Sequence, residues 1–154
     1  MSLVHETLYQ SNNLNSIDFE DYIKRMVMGL ISSYNAQRID VKFNIENIML
    51  NIETVIPCGL IINELVTNAI KHAFPNDEGL ITIKFTHGSD KLKLIVNDNG
   101  VGLPDRLLHG NCNTVGLQLI KTLIDQLDGE FGIDNSKGTT FTVIFEELKY
   151  AKRL

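Results

Sequence analysis

Apolar residues at positions 58, 61, 62, 65, 66, 69, 70 and 73 are separated by steps that alternate between three and one. That spacing draws one face of a helix. Pro57 suits the first turn of this helix and Pro75 closes it. Phe19, Tyr22, Ile23, Met26, Val27, Leu30, Ile31 and Tyr34 keep the same rhythm earlier in the chain. They predict a helix from 18 to about 36, with Asp18 as N-cap and Ile17 and Tyr22 stapled across it. Val4, Leu8 and Leu14 suggest a short helical piece over 4–14, the end of a longer helix. A further helix is expected from Val115, ending at Gly129 as the C′ residue.

Elsewhere the period falls to two. Val41, Phe43 and Ile45 alternate with polar residues and predict a short strand, followed by a polar loop carrying Asn47 and Asn51. Residues 81–85 and 91–96 predict two strands around the turn His87-Gly88-Ser89-Asp90. Phe131 and Ile133 mark another strand, and Asn135-Ser136-Lys137-Gly138 turns it into a last one from Thr139 to Glu147. Strands that arrive as hairpins argue against a doubly wound parallel sheet. They predict an α+β fold: a two-layer α/β sandwich, its mixed and mostly antiparallel sheet covered on one face by helices.

Composition narrows the function. A chain of 154 residues with 44% hydrophobic content suits one domain with a full core. A formal charge of −5 without a basic stripe argues against a nucleic-acid partner. Cys58 and Cys112 match no metal spacing; Cys58 reads as core, and a reducing compartment fits. No apolar run reaches membrane-spanning length, and no signal peptide is visible. Met1-Ser2-Leu3 reads as an expression scar. The expected division is 1–16 as linker, 17–148 as one domain and 149–154 as a basic tail.

Chemistry gathers in three places around the helix of residues 58–73. On its polar side stand Glu64, Asn68, Lys71 and His72. Asp98 shares a strand face with Leu92, Leu94 and Val96, so an acid is aimed coreward if that face is the core. A buried carboxylate requires hydrogen-bond donors, which a ligand amino group supplies. The plainer alternative is an Asp-Asn-Gly turn in which Asp98 binds its own backbone. Gly100 and Gly102 permit close approach of a flat ligand, yet neither a dinucleotide fingerprint nor a P-loop is present. Gly116 lies at a helix start, where free N–H groups favour phosphate. Thr139 shares a face with Phe141, Val143 and Phe145, so its hydroxyl points coreward; β-propensity alone also explains it.

Together these segments resemble the GHKL ATPases: gyrase, heat-shock chaperone, histidine kinase and MutL. Asn63-Glu64-Leu65-Val66-Thr67-Asn68-Ala69-Ile70-Lys71-His72-Ala73-Phe74 looks like the N box, and Asp98-Asn99-Gly100-Val101-Gly102 like the G1 box. Gly116-Leu117-Gln118-Leu119 resembles the G2 box and Gly138-Thr139-Thr140-Phe141 the last glycine box. The resemblance covers 36–147, in the expected order. It is closest to the short-lid catalytic domain of sensor histidine kinases, with a Bergerat-type ATP-binding fold.

What the resemblance implies is specific. Asp98 would hold the adenine amino group of ATP, with Thr139 assisting. Gly100 and Gly102 would let the backbone approach the nucleotide. Asn68 would give its amide oxygen to Mg2+. Lys71 and His72 would face the phosphates, and Gly116 and Leu117 would belong to the lid and its hinge. Glu64 would be a base polarising the attacking group, or a supporting partner. The implied activity is transfer of the γ-phosphoryl to a histidine on the protein's own dimerisation hairpin, and then to a response-regulator receiver domain. A cytoplasmic location goes with it, whether the full-length protein is soluble or membrane-attached. This fragment is expected to be monomeric or weakly dimeric.

Two features depart from the pattern. The lid from 103 to 115 is only 13 residues long. No convincing phosphoacceptor is present: His5 precedes Glu6 but lacks a downstream hairpin, and His87 and His109 read as solvated. The alternatives are an anti-sigma-factor-type serine kinase or regulatory binding protein, and a degenerate nucleotide sensor.

Overall fold

The structure, a computed structural model, describes residues 16–102 and 115–147. The expected helical piece over 4–14, His5, the lid with His109 and Cys112, and the basic tail lie outside the described residues.

The chain opens with β1 (Ile17–Asp18) and α1 (Phe19–Ser33). Asp18 caps α1, its carboxylate accepting the Asp21 N–H at 3.2 Å. The helix is shorter than expected. Its end is closed by Asn35 at φ 52°, with the Ala36 N–H bonded back to the Ile31 carbonyl at 2.9 Å. Next come β2 (Ile39–Ile45), β3 (Met49–Leu50) and α2 (Ile52–Asn68). A π-helical turn, Ala69–Ala73, prolongs α2. The hairpin β4 (Gly79–His87) and β5 (Leu92–Asp98) follows, then α3 (Val115–Gln126), β6 (Glu130–Asp134) and β7 (Thr139–Phe145).

The five-stranded sheet has the order β2-β4-β5-β7-β6; only the β2–β4 pair is parallel. Ile81, Ile83 and Phe85 of β4, Leu92, Leu94 and Val96 of β5, and Phe141, Val143 and Phe145 of β7 are all buried. Between them Lys84, Lys93 and Ile144 face outward. The helices cover the buried face, with α2 packed between α1 and α3. Phe19 of α1 anchors this layer, its ring centroid 4.5 Å from that of Phe85. Burying one such side chain stabilises the fold by about 2–3 kcal/mol.

Three local readings need correction. Pro57 lies inside α2, not in its first turn, because Asn51 caps the helix: its Oδ1 accepts the Thr54 N–H at 2.9 Å and the Thr54 hydroxyl at 2.7 Å. Met49 and Leu50, read as loop, pair antiparallel with Ile17 and Asp18. The C′ residue of α3 is Asp128 at φ 51°, and the Gly129 N–H returns to the Ile124 carbonyl at 3.0 Å. Gly129 is needed for space instead: a β-carbon there would lie 3.0 Å from the Ile144 carbonyl oxygen.

Candidate functional site

The site forms where one end of the sheet meets the C-terminal end of α2. Period-two alternation carries β5 inward through Leu92, Leu94 and Val96 to Asp98, which is only 9% exposed. Its carboxylate accepts the Gly100 N–H at 3.0 Å and a backbone bond from Thr139, its register partner on β7. The turn-forming bond read as the plainer alternative therefore exists. It satisfies part of the acceptor capacity, which for a carboxylate extends to about four lone-pair sites. Burial raises the Asp98 pKa, and the two backbone bonds, smaller in effect, lower it.

Glycines fix the helix end to the sheet end. A β-carbon on Gly100 would overlap the carbonyl of Ala73, and the neighbouring Val101 N–H donates to that carbonyl at 2.9 Å. Carbonyls at a helix end have no partner within the helix, so this bond satisfies one of them. A β-carbon on Gly79 would overlap the Phe74 ring, and the Asn99 side chain accepts the Leu80 N–H at 2.8 Å. The π-turn between Asn68 and Phe74 thus sits clamped between β4 and the exit of β5. Single π-turns of this kind recur at functional sites.

Glu64 and Asn68 stand four residues apart on α2, on one stripe. Both reach the start of α3: a β-carbon on Gly116 would lie 3.0 Å from Glu64 Oε2 and 3.6 Å from Asn68 Nδ2. The start of a helix favours an anionic group. Among the described residues no three His, Cys, Asp or Glu side chains gather as a metal cage. The Asn68 amide offers a hard oxygen donor, which fits Mg2+, an ion that takes few protein ligands and leaves its other positions to phosphate and water.

The structure brings Asp98, Gly100 and Thr139 together at the sheet end, and Glu64, Asn68 and Gly116 together at the α2–α3 contact. Gly102, at φ 80°, packs on Asn135. Leu117 is partly buried against the core. His72 is exposed. Lys71 does not join either group: its ammonium lies 5.6 Å from the Tyr34 ring centroid. It borders a separate cleft of about 330 Å³ with Tyr34, Arg38, Ile70 and Asp77. The sequence reading missed Ala73 and Asn135. Ala73 looked like core spacing, and Asn135 like an ordinary hairpin-turn residue.

Residues 54–149 match the family described as histidine kinase-, DNA gyrase B-, and HSP90-like ATPase. The chain belongs to this ATPase family. The expected fold class is confirmed with it. Several relatives are named as kinases. Residues 1–34 match a second family, described as histidine kinase. Sensor histidine kinase PdtaS of Mycolicibacterium smegmatis is 30% identical over 94% of this chain, which spans 30% of that relative. The histidine kinase domain of the Erythrobacter litoralis EL346 blue-light activated histidine kinase superposes with a TM-score of 0.83 at 21% identity, over 94% of this chain and 70% of that one. Serine-protein kinase RsbW of Bacillus mycoides is 35% identical over 43% of this chain and 50% of its own length. No described helix of this ATPase-family domain is long and apolar enough to cross a membrane.

Proposed function

We propose that this chain is the ATP-binding catalytic part of a sensor histidine kinase. The observation that carries the proposal is the buried Asp98 carboxylate at the sheet end, beside a helix that presents Asn68 and Glu64 to the start of α3. Asp98 accepts the adenine amino group, with Thr139 beside it. Gly100 and Gly102 let the backbone lie close to the nucleotide. Asn68 holds Mg2+ through its amide oxygen; the ion neutralises charge on the phosphates. The first turn of α3, with Gly116, supplies N–H groups to phosphate oxygens. Glu64 polarises the attacking group, while His72 and, on leaving Tyr34, Lys71 face the phosphates.

Transfer forms a nitrogen–phosphorus bond to an imidazole and breaks the bond between the γ-phosphorus and ADP. The protein contributes positioning and charge stabilisation. The acceptor belongs to a dimerisation hairpin, and the histidine-kinase match over residues 1–34 supports this over the serine-kinase alternative. A receiver domain takes the phosphoryl next, on the cytoplasmic side where ATP is found. The domain begins at Ile17 and runs to 148, after a linker over 1–16 and before a tail over 149–154. The burial of Phe19, Tyr22, Ile23 and Val27 supports counting α1 with the ATP-binding unit, although the histidine-kinase match extends to residue 34.

Calorimetric titration of Mg-ADP into the chain tests this reading. Saturable binding is expected, weakened at least about tenfold by Asp98→Asn, as loss of a hydrogen bond to a charged acceptor requires. Equal binding by both forms would refute the Asp98 assignment.

A further inference from the structure

The Thr139 hydroxyl donates to Asn135 Oδ1 at 3.2 Å. A hydroxyl has one proton and two lone pairs. With that proton committed to Asn135, Thr139 faces its surroundings as an acceptor. Its register partner Asp98, when ionised, is also acceptor-only. Two acceptors side by side suit a ligand edge that brings a donor and oppose one that brings a carbonyl.

We infer that Asn135 determines nucleotide specificity: by holding the Thr139 proton it makes the site select a 6-aminopurine over a 6-oxopurine. The inference rests on the adenine site proposed above. Asn135 is a positioning residue, since it acts through Thr139. It is itself placed by contact with the exit of β5, where a β-carbon on Gly102 would lie 2.6 Å from Asn135 Oδ1. The turn also has bonds of its own, since Asp134 Oδ1 accepts the Ser136 N–H at 2.9 Å and the Ser136 hydroxyl at 2.8 Å. Removing the Asn135 amide would free the Thr139 hydroxyl to rotate and donate to a purine carbonyl. A site built around a specific donor and acceptor pattern rejects the wrong partner because its own polar groups are left unpaired.

The test is titration of Mg-ADP and of Mg-inosine diphosphate, its 6-oxo counterpart, into wild type, Asn135→Ala and Asn135→Asp. Wild type should prefer ADP. In Asn135→Ala, inosine diphosphate should bind about tenfold more tightly than in wild type while ADP changes by less than about threefold. Asn135→Asp keeps an acceptor for the Thr139 proton and should keep the wild-type preference. An unchanged preference in Asn135→Ala, with ADP binding still dependent on Asp98, would overturn the inference and leave the adenine site standing. Loss of both nucleotides at an unchanged melting temperature would also overturn it, showing that Asn135 shapes the site rather than selects the base. Wild-type ADP binding that ignores Asp98→Asn would remove the site and the inference together.

Discussion

Gly138 lies so close to Asp98 that a β-carbon on it would overlap the Asp98 carbonyl oxygen. Its φ of 71° also places it where side chains are strained. Gly138→Ala should therefore destabilise the domain by about 1–3 kcal/mol. The same substitution should push β7 from β5 and weaken Mg-ADP binding. Urea unfolding and titration on one preparation measure both; an alanine variant of wild-type stability would contradict the packing described.

Asp98 makes stability and binding respond to pH in opposite ways. Burial, the larger influence, raises its pKa above the ordinary 3.8. The folded domain then holds the proton more tightly than the unfolded chain. The resulting stability is fully present below 3.8 and is lost as pH rises through the raised folded value. The stability of wild type relative to Asp98→Asn should decline across that window and level off above it. Mg-ADP affinity should rise over the same window, because the ionised carboxylate accepts the ligand proton. A stability difference independent of pH would show that Asp98 titrates alike in both states.

Glu64→Gln separates two roles for one carboxylate. The amide keeps its shape and its reach to Gly116, yet cannot take a proton. With the hairpin supplied, phosphoryl transfer should fall by about a hundredfold. Mg-ADP affinity should stay within about threefold, because Glu64 acts on the attacking group rather than on the nucleotide. Loss of affinity matching the loss of rate would assign Glu64 to ligand positioning instead.

Asn51→Ala supplies a contrast remote from the chemistry. It removes the cap of α2 and the acceptor for both Thr54 groups. A loss of about 1–2 kcal/mol in unfolding free energy is expected. Since Asn51 lies at the opposite end of α2 from Asn68, the affinity for Mg-ADP should be unchanged at temperatures where the domain is folded. A large drop in affinity would mean that the whole helix moves when its cap is lost.

Much of the site was legible from period alone. The three-one rhythm marked α1 and α2, and strand alternation put Asp98 and Thr139 on the inward face before any partner strand was known. What escaped were features with competing local signals. Pro57 imitates a first-turn proline, but Asn51 reaches Thr54 and starts the helix five residues earlier than Pro57. Gly129 imitates a C′ glycine, but Asp128 takes the left-handed position and Gly129 is required by the nearness of β7. Lys71 sits in a motif that implies phosphate contact, yet its ammonium lies against Tyr34.

Which residues face inward is written in the local pattern, because side-chain direction follows from the 3.6 and 2.0 periods of a helix and a strand. That pattern determined the α+β class for the same reason. Tertiary structure alone decided which strands pair, since the β2–β4 and β1–β3 partners are separated by stretches of chain that carry no pairing code. It alone brought Gly138 against Asp98, Gly100 against Ala73, and the Asn135 amide to the Thr139 hydroxyl. A backbone approach or a shared proton depends on atoms fixed in space by the whole core, and no local pattern of residues records it.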